Sequence, residues 1–263
     1  MCAAAGALHA VAMYGSPYRV VLILGELPDL SMVVFDSSTN AWEGAVALSQ
    51  KPEDAASSSP ERAAEGAGGG DDTVYFLSKS GDVVATNMQR SASRQYSSAV
   101  ACRGGGREAV AYFLSHSGTV VAVDLARRAF VELPRILPVY HEYSIDVVAC
   151  DGAAYAVVLS EFLDTASLRM WEFAGGAWRQ VAAMPPSMSH AFYGAKADVN
   201  CVGHGGRVMV CVSSGEANAS GCFLCDVKTN RWEELPRCAG GGDGEATDFV
   251  AAVSFEPRME AAV

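Results

Sequence analysis

Cysteine and histidine are the residues of this sequence that could bind a metal ion or carry redox chemistry, and their spacing favours neither. The eight cysteines lie mostly inside apolar, strand-like runs, where a thiol behaves as a small buried hydrophobe. Cys222-Phe-Leu-Cys225 has the spacing of a redox or zinc motif, but no second ligand pair follows at the distance that a zinc site needs. Because positions i and i+3 of a strand face opposite sides, these two thiols would not converge. We therefore predict no metal ion and no cofactor.

The motifs of nucleotide binding and of hydrolytic catalysis are missing from the sequence. It contains no Gly-x-x-x-x-Gly-Lys-Ser/Thr loop, no His-Glu-x-x-His and no Gly-x-Ser-x-Gly. The glycines at 104–106 precede no predicted helix, so they do not form a phosphate-binding turn. The five histidines are scattered, at His9, His116, His141, His190 and His204. We predict that the protein is not an enzyme.

Two aromatic clusters are the candidates for binding a partner protein. Each follows a predicted sheet at an equivalent position, so both are expected to emerge on the same face of the fold. Aromatic and methionine side chains on exposed loops suit protein recognition. The alternative interpretation is that Tyr143 and Tyr193 pack between neighbouring sheets. The candidate partner-binding residues are Tyr140, His141, Tyr143, Met188, His190, Phe192 and Tyr193.

A repeated hairpin is the element that would position these clusters. In four stretches, the best of which is Asp226-Val-Lys-Thr-Asn-Arg-Trp232, an acidic residue precedes an aromatic residue by six positions. The acid is expected to accept hydrogen bonds from the backbone of the turn, and the residue at +4 to adopt a left-handed conformation. Arg128 occupies that position in one copy and predicts either strain or a different turn. The predicted hairpin anchors, with buried aromatic rings, are Asp36 and Trp42, Asp124 and Phe130, Glu172 and Trp178, and Asp226 and Trp232.

A second repeat adds a fifth unit. Residues 75–85 match residues 112–122 at a constant offset of 37, which places a degenerate hairpin around Asn87. A period of about 37 to 54 residues with several strands per unit is typical of propeller blades. We predict an all-β propeller with about five recognisable blades and a C-terminal closing strand at 249–255, without requiring that the ring be complete.

Composition indicates the domain boundaries and excludes some classes of binding partner. We predict a lead-in at 1–17, the propeller at 18–255 and a tail at 256–263, with a disordered acidic loop inserted at 51–72. The net charge of −11 argues against nucleic acid and anionic membranes as partners, although acidity can simply keep a protein soluble. No apolar run reaches the roughly 18 residues of a membrane span.

The Asp-to-Trp hairpins, followed by Glu-Leu-Pro, resemble the kelch-type propeller of plant F-box/kelch-repeat proteins. The resemblance extends from about Tyr18 to Phe255. It departs from the kelch pattern where the second strand of each unit ends, because the expected glycine pair is replaced by pairs such as Ser160-Glu161 and Ser213-Ser214. Nothing before Tyr18 matches the helical F-box of the family, so the chain resembles the carboxy-terminal part of such a protein.

The resemblance implies a protein–protein interaction module, similar to the substrate-recognition arm of an SCF-type (Skp1-cullin-F-box) E3 ubiquitin ligase. Its partner would be a substrate protein of unknown identity, and Skp1 would bind only a full-length form that carries an F-box. The expected location is the cytoplasm, the nucleus or both. The alternatives are a propeller enzyme, a carbohydrate-binding domain, or a truncated fragment without function.

Overall fold

The fold was analysed in a computed structural model. It describes residues 8–14, 17–51, 73–77, 83–87, 98–103, 108–115, 119–136, 143–162, 164–195, 197–214 and 220–236. The predicted loop insertion beyond residue 51, the closing strand at 249–255 and the tail at 256–263 lie outside these residues, as do Tyr140 and His141.

The first sheet is an antiparallel meander in chain order. Its strands are β1 (Leu8–Tyr14), β2 (Arg19–Glu26), β3 (Asp29–Asp36) and β4 (Ala41–Trp42), with β5 (Val46–Ala47) pairing beside β4 on β3. β1 lies in the segment expected to be a lead-in, and it pairs with β2 from Leu8↔Leu24 to Tyr14↔Arg19. The first sheet therefore begins ten residues before the predicted boundary at residue 18.

The middle of the chain forms two more sheets. Its strands are β6 (Ser49–Gln50), β7 (Thr73–Leu77), β8 (Val83–Asn87), β9 (Ser98–Arg103), β10 (Glu108–Leu114), β11 (Val120–Asp124) and β12 (Ala129–Glu132). β7 and β8 pair with each other, and the larger sheet has the order β6-β12-β11-β10-β9. β6 is parallel to β12, so the strand that follows the first sheet extends the edge of another one.

The last two sheets are four-stranded meanders, the arrangement of a propeller blade. One contains β13 (Tyr143–Cys150), β14 (Ala153–Phe162), β15 (Thr165–Ala174) and β16 (Ala177–Ala183). The link to the next contains helix α1 (Pro186–Ser189) and a 3-10 turn (His190–Phe192), and the final sheet contains β17 (Asp198–His204), β18 (Arg207–Ser213), β19 (Gly221–Asp226) and β20 (Arg231–Leu235). The prediction of an all-β fold made of blade-like antiparallel sheets is confirmed. Neither helical segment of the described chain is long and apolar enough to cross a membrane.

The chain divides into two compact units, residues 1–98 with 104–140 and residues 99–103 with 141–263. The core of the second unit is formed by its two four-stranded sheets, because alternate residues of their strands face each other. Val157, Leu168, Met170, Val208, Val210 and Cys225 are completely or almost completely buried there. The link helps to close this core through Met184 and Phe192.

The first strands of these two sheets, β13 and β17, approach very closely. A Cβ atom at Gly203 would lie 2.5 Å from the carbonyl oxygen of Ala149 and 2.8 Å from Cβ of Cys150, so this position requires glycine. Hydrogen bonds join the two strands: the carboxylate of Asp146 accepts one from the amide of Cys201 at 2.5 Å, and the hydroxyl oxygen of Ser144 accepts one from the amide of Val199 at 3.2 Å. β13 also contacts β18, since Cys150 Sγ lies 3.4 Å from the carbonyl oxygen of Arg207.

The predicted turn chemistry is present in three of the four hairpins. Asp36, Asp124 and Asp226 each accept hydrogen bonds through Oδ1 from backbone amides two or three residues later. The fourth hairpin differs, because its loop is only Gly175-Gly176 and Glu172 instead pairs with Arg179 at 2.8 Å. All four positions at +4 are left-handed, with φ 50° at Asn40, 55° at Arg128, 83° at Gly176 and 53° at Asn230. Arg128 therefore adopts the common turn and bears its strain.

The aromatic anchors are less uniform than predicted. Phe130 and Trp232 are buried, as expected, and Trp178 is half-buried against the ring of Phe173. The prediction that Trp42 is a core residue is wrong, since 54% of its surface is exposed. β4 has two residues at the edge of its sheet, and the Trp42 ring packs against Phe35 of the adjoining strand with centroids 5.3 Å apart.

Candidate protein-binding surface

The link between β16 and β17 is held firmly on the sheet below it. The amide of Met184 donates to the carbonyl oxygen of Leu168 at 2.9 Å, and the buried hydroxyl of Ser189 donates to that of Ala166 at 3.0 Å. Helix α1 begins at Pro186, where a fixed φ suits the first helical turn. Where the sequence predicts an exposed loop, the structure shows a helical turn with a defined inner and outer side.

Two of the predicted binding residues lie on the inner side of the link. Phe192 is 3% exposed and packs edge-on against Phe223, with ring centroids 5.7 Å apart. Met188 is half-buried and packs against the same core. The prediction that Phe192 belongs to a binding surface is wrong, because a helical turn directs this side chain into the core while its neighbours remain outside.

His190 and Tyr193 lie on the outer side. Both are exposed, Tyr193 by 44% of its surface, and their rings are stacked with centroids 6.2 Å apart and an angle of 5° between the planes. The spacing of three residues allows this stack, since it brings side chains to the same side of a helical turn. The alternative that Tyr193 packs between sheets does not agree with its exposure.

The β14–β15 hairpin fixes the position of this stack. The hydroxyl of Tyr193 donates to Oδ1 of Asp164 at 2.8 Å, and the amide of Gly194 donates to Oε1 of Glu161 at 3.0 Å. Gly194 has a φ of 74°, a conformation that glycine adopts without strain. We call His190, Tyr193, Asp164 and Glu161 the link surface.

The electrostatics of the link surface follow from these carboxylates. The hydrogen bond to Asp164, and then the negative charge of the same residue, raise the pKa of the Tyr193 hydroxyl above its usual value. Tyr193 therefore stays neutral and keeps its donor role at physiological pH. The link surface combines two aromatic rings with two acidic groups, which can contact apolar and basic groups of a partner protein.

Only one member of the other aromatic cluster belongs to the described residues. Tyr140 and His141 lie outside the described residues, and Tyr143 is described only as the first residue of β13, where its backbone pairs with Ser160. Its grouping with the link surface therefore stays a prediction.

Sequence reasoning missed the two carboxylates of the link surface. Asp164 lies between two apolar strands and has a φ of 60°, a conformation that aspartate tolerates better than most residues. An acidic residue at such a turn was the available signal. Its pairing with Tyr193 depends on the fold, because 29 residues separate them.

A second exposed aromatic group lies in the first unit. Tyr18 and Phe35 have ring centroids 6.2 Å apart, and Phe35 also contacts the exposed Trp42. Its neighbour Arg19 forms an ion pair with Asp36 at 2.9 Å. No signal in the sequence assigns this group to partner binding.

The described His, Cys, Asp and Glu side chains do not form a metal site. In the described ranges, no group of three or more His, Cys, Asp or Glu side chains is arranged to hold a metal ion. Cys222 and Cys225 lie on opposite faces of β19, as predicted, since Cys225 belongs to the core and Cys222 does not.

Together, the sheets define an all-β protein assembled from blade-like antiparallel sheets. Its sequence is 41% identical, over 254 residues, to F-box only protein 13 of Arabidopsis thaliana. The match covers 94% of this chain and 53% of that protein, so the chain spans about half the length of this relative. No protein-family model matches the sequence.

Among solved structures, the fold is similar to TolB from Acinetobacter baumannii, with a TM-score of 0.43, 10% identity and coverage of 88% of this chain and 43% of that one. A protein from Lactobacillus plantarum matches with a TM-score of 0.28, 9% identity and coverage of 90% and 86%. Neither likeness carries information about function.

Proposed function

We propose that this chain is the partner-recognition part of an F-box protein, a non-enzymatic module that holds a substrate protein for an SCF-type ubiquitin ligase. The observation that carries the proposal is the 41% identity to F-box only protein 13, which extends over 94% of the chain. The Asp-capped hairpins support the finer proposal that the sheets are kelch-type repeats. Such a module would act in the cytoplasm, the nucleus or both.

The link surface is where we propose that the substrate binds. Two exposed stacked rings on a link that is anchored to the sheet lose little side-chain entropy on binding, because their rotamers are already restrained. Tyrosine is enriched in protein interfaces for this reason, and its hydroxyl is already hydrogen-bonded here. Asp164 and Glu161 would select a partner segment with basic side chains.

The assignment to an F-box protein is tested by binding to Skp1. In the proposal, docking to Skp1 belongs to the F-box alone, so the 263-residue chain should show no association in a titration with purified Skp1. The same chain with the F-box of its Arabidopsis relative fused ahead of Met1 should bind. Tight binding by the unfused chain, or no binding by the fusion, would contradict the proposal.

The substrate surface is tested with variants of the link. A protein that is captured by the intact chain is purified and titrated against the wild type and against the double variant His190→Ala, Tyr193→Ala. We expect at least a tenfold loss of affinity, because hot-spot aromatic residues contribute about 2 kcal/mol or more each.

The matched control for this titration is Trp42→Ala, which removes an exposed aromatic ring from the first unit. It should bind like the wild type. If Trp42→Ala loses the affinity and the double variant keeps it, the substrate surface lies on the first sheet instead. Circular dichroism should show an unchanged fold for both variants.

A further inference from the structure

Cys211 and Cys222 form a pair of thiols that sequence spacing did not reveal. They lie directly opposite each other on the antiparallel strands β18 and β19, and their Sγ atoms are 3.4 Å apart, within sulfur hydrogen-bond distance. The strands are paired without interruption from Arg207↔Asp226 to Val212↔Gly221, so the register around the thiols is regular.

The strand register places Cys211 and Cys222 at a non-hydrogen-bonded pair, the type of position in an antiparallel ladder where opposed side chains come closest. Just before β18, the amide of Val227 donates to the carbonyl oxygen of Gly206 at 3.1 Å, which marks a hydrogen-bonded pair. Hydrogen-bonded and non-hydrogen-bonded pairs alternate along an antiparallel ladder, and Cys211 lies five residues beyond Gly206. Cys211↔Cys222 is therefore a non-hydrogen-bonded pair, whose Cα atoms are about 4.5 Å apart, at the short end of the range that a disulfide spans.

Cys225 is excluded from this pair by its face of the sheet. It pairs with Val208 and Trp232 in the buried core, whereas Cys222 lies on the opposite face of β19. Cys222 and Cys225, three positions apart in sequence, thus face opposite sides of the strand, whereas Cys211 and Cys222 are adjacent although 11 positions separate them.

We propose that Cys211 and Cys222 form a reversible cross-strand disulfide when the protein meets a hydroperoxide. The thiolate of Cys222, which is partly exposed, attacks one peroxide oxygen and releases hydroxide, leaving a sulfenic acid on Cys222. The thiol of Cys211, which is 2% exposed, then attacks this sulfur, and the sulfenic oxygen leaves as water. In total, two thiols lose two electrons and two protons, and one hydroperoxide is reduced.

The order of attack follows from burial. A small peroxide reaches the partly exposed Cys222 before the buried Cys211, while Cys211 is already 3.4 Å from the sulfur that it must attack. Because the Cα atoms of directly opposed strand residues lie at the short end of the range for a disulfide, this disulfide should be strained, easily reduced and thus suited to a reversible change. The oxidised form closes the β18–β19 hairpin covalently.

The test is oxidation of the folded chain with hydrogen peroxide, followed by alkylation of the remaining thiols in denaturant and digestion with trypsin and a glutamyl protease. Trypsin leaves both cysteines in the peptide 208–228, and cleavage after Glu216 separates Cys211 from Cys222 and Cys225. We expect the fragments 208–216 and 217–228 to remain joined without reductant and to separate after reduction with dithiothreitol.

Two variants on β19 identify the partner of Cys211. Cys225→Ala should keep the fragments joined, and Cys222→Ser should separate them. If Cys225→Ala abolishes the disulfide, or if Cys222 of the folded wild type is still fully alkylated after treatment with peroxide, the proposal is overturned. Oxidation in denaturant provides the second control. In an unfolded chain, Cys222 should form disulfides with other cysteines as readily as with Cys211.

Discussion

Trp232→Ala is expected to destabilise the second unit by about 3–5 kcal/mol, the range for large aromatic truncations in packed cores. The side chain is 7% exposed and belongs to the core between the last two sheets. Its partner across the ladder is Cys225, which is completely buried, so truncation of the indole opens a cavity beside this core residue.

The indole also closes a hydrogen-bonded junction. Nε1 of Trp232 donates to Oδ1 of Asn230 at 3.0 Å, and the same oxygen accepts the amide of Ala183, from the neighbouring sheet, at 2.9 Å. The loss of one such bond costs about 0.5–1.5 kcal/mol. Trp232→Phe keeps an aromatic ring but removes the donor, so we expect a smaller loss of about 1–2 kcal/mol.

Trp42→Ala is the internal control, since Trp42 occupies the same place in the first hairpin. It is 54% exposed, and its ring contact is with Phe35. Removal of an exposed aromatic pair costs about 1 kcal/mol or less. The contrast between the two tryptophans thus tests burial, with the residue type and the hairpin position held constant.

The assay is equilibrium unfolding in urea, followed by far-UV circular dichroism, together with hydrogen exchange of the β19 and β20 amides. Hydrogen exchange is required because the chain has two compact units, which need not unfold together. A loss below about 1 kcal/mol for Trp232→Ala, or equal losses for both tryptophans, would refute the assignment of Trp232 as a core anchor.

Three further predictions follow from the turns and the link surface. Arg128→Asn should stabilise the protein by about 0.5–1 kcal/mol in the same urea assay, because asparagine tolerates the φ of 55° better, and no gain would show that the turn is unstrained. The pKa of Asp36 is lowered to about 2, first by the Ser38 hydroxyl and then by the Ser38 amide. This carboxylate should thus stabilise the folded state at pH values above its ordinary pKa of 3.8, and that stabilisation should be lost as the pH falls towards 2. Ser38→Ala should raise the pKa of Asp36 in a carboxyl NMR titration, and an unchanged pKa would contradict this cause. Asp164→Asn should lower the raised pKa of Tyr193 towards the ordinary value in an NMR titration of the ring, unless a cause other than Asp164 raises it.

The hairpins were the part of the fold that the sequence could predict. Their determinants are local: an Asp that bonds to the next amides, and a residue at +4 that enters the left-handed region. Because these signals recur along the chain, they also indicated the blade-like arrangement of the sheets. The strand β1 escaped prediction, since it has no hairpin of this type beside it.

Burial was predicted less well than local structure. Trp42 and Trp232 have the same motif, yet only the second lies between two packed sheets. Motif spacing contains no information about what covers a ring in three dimensions. The same reason explains Phe192, whose inward direction depends on a helical turn in the link, and Cys211, whose partner is set by strand register.

The close contact at Gly203 has a consequence for the evolution of repeats in this chain. Duplication or exchange of a repeat would place a new first strand beside β13. At the position of Gly203, that new strand would have no room for a Cβ atom. A repeat with alanine at this position would push β17 away from Ala149 and stretch the bond between Cys201 and Asp146. The two sheets of the second unit are therefore a matched pair, and shuffling of single repeats should succeed only when both neighbours move together.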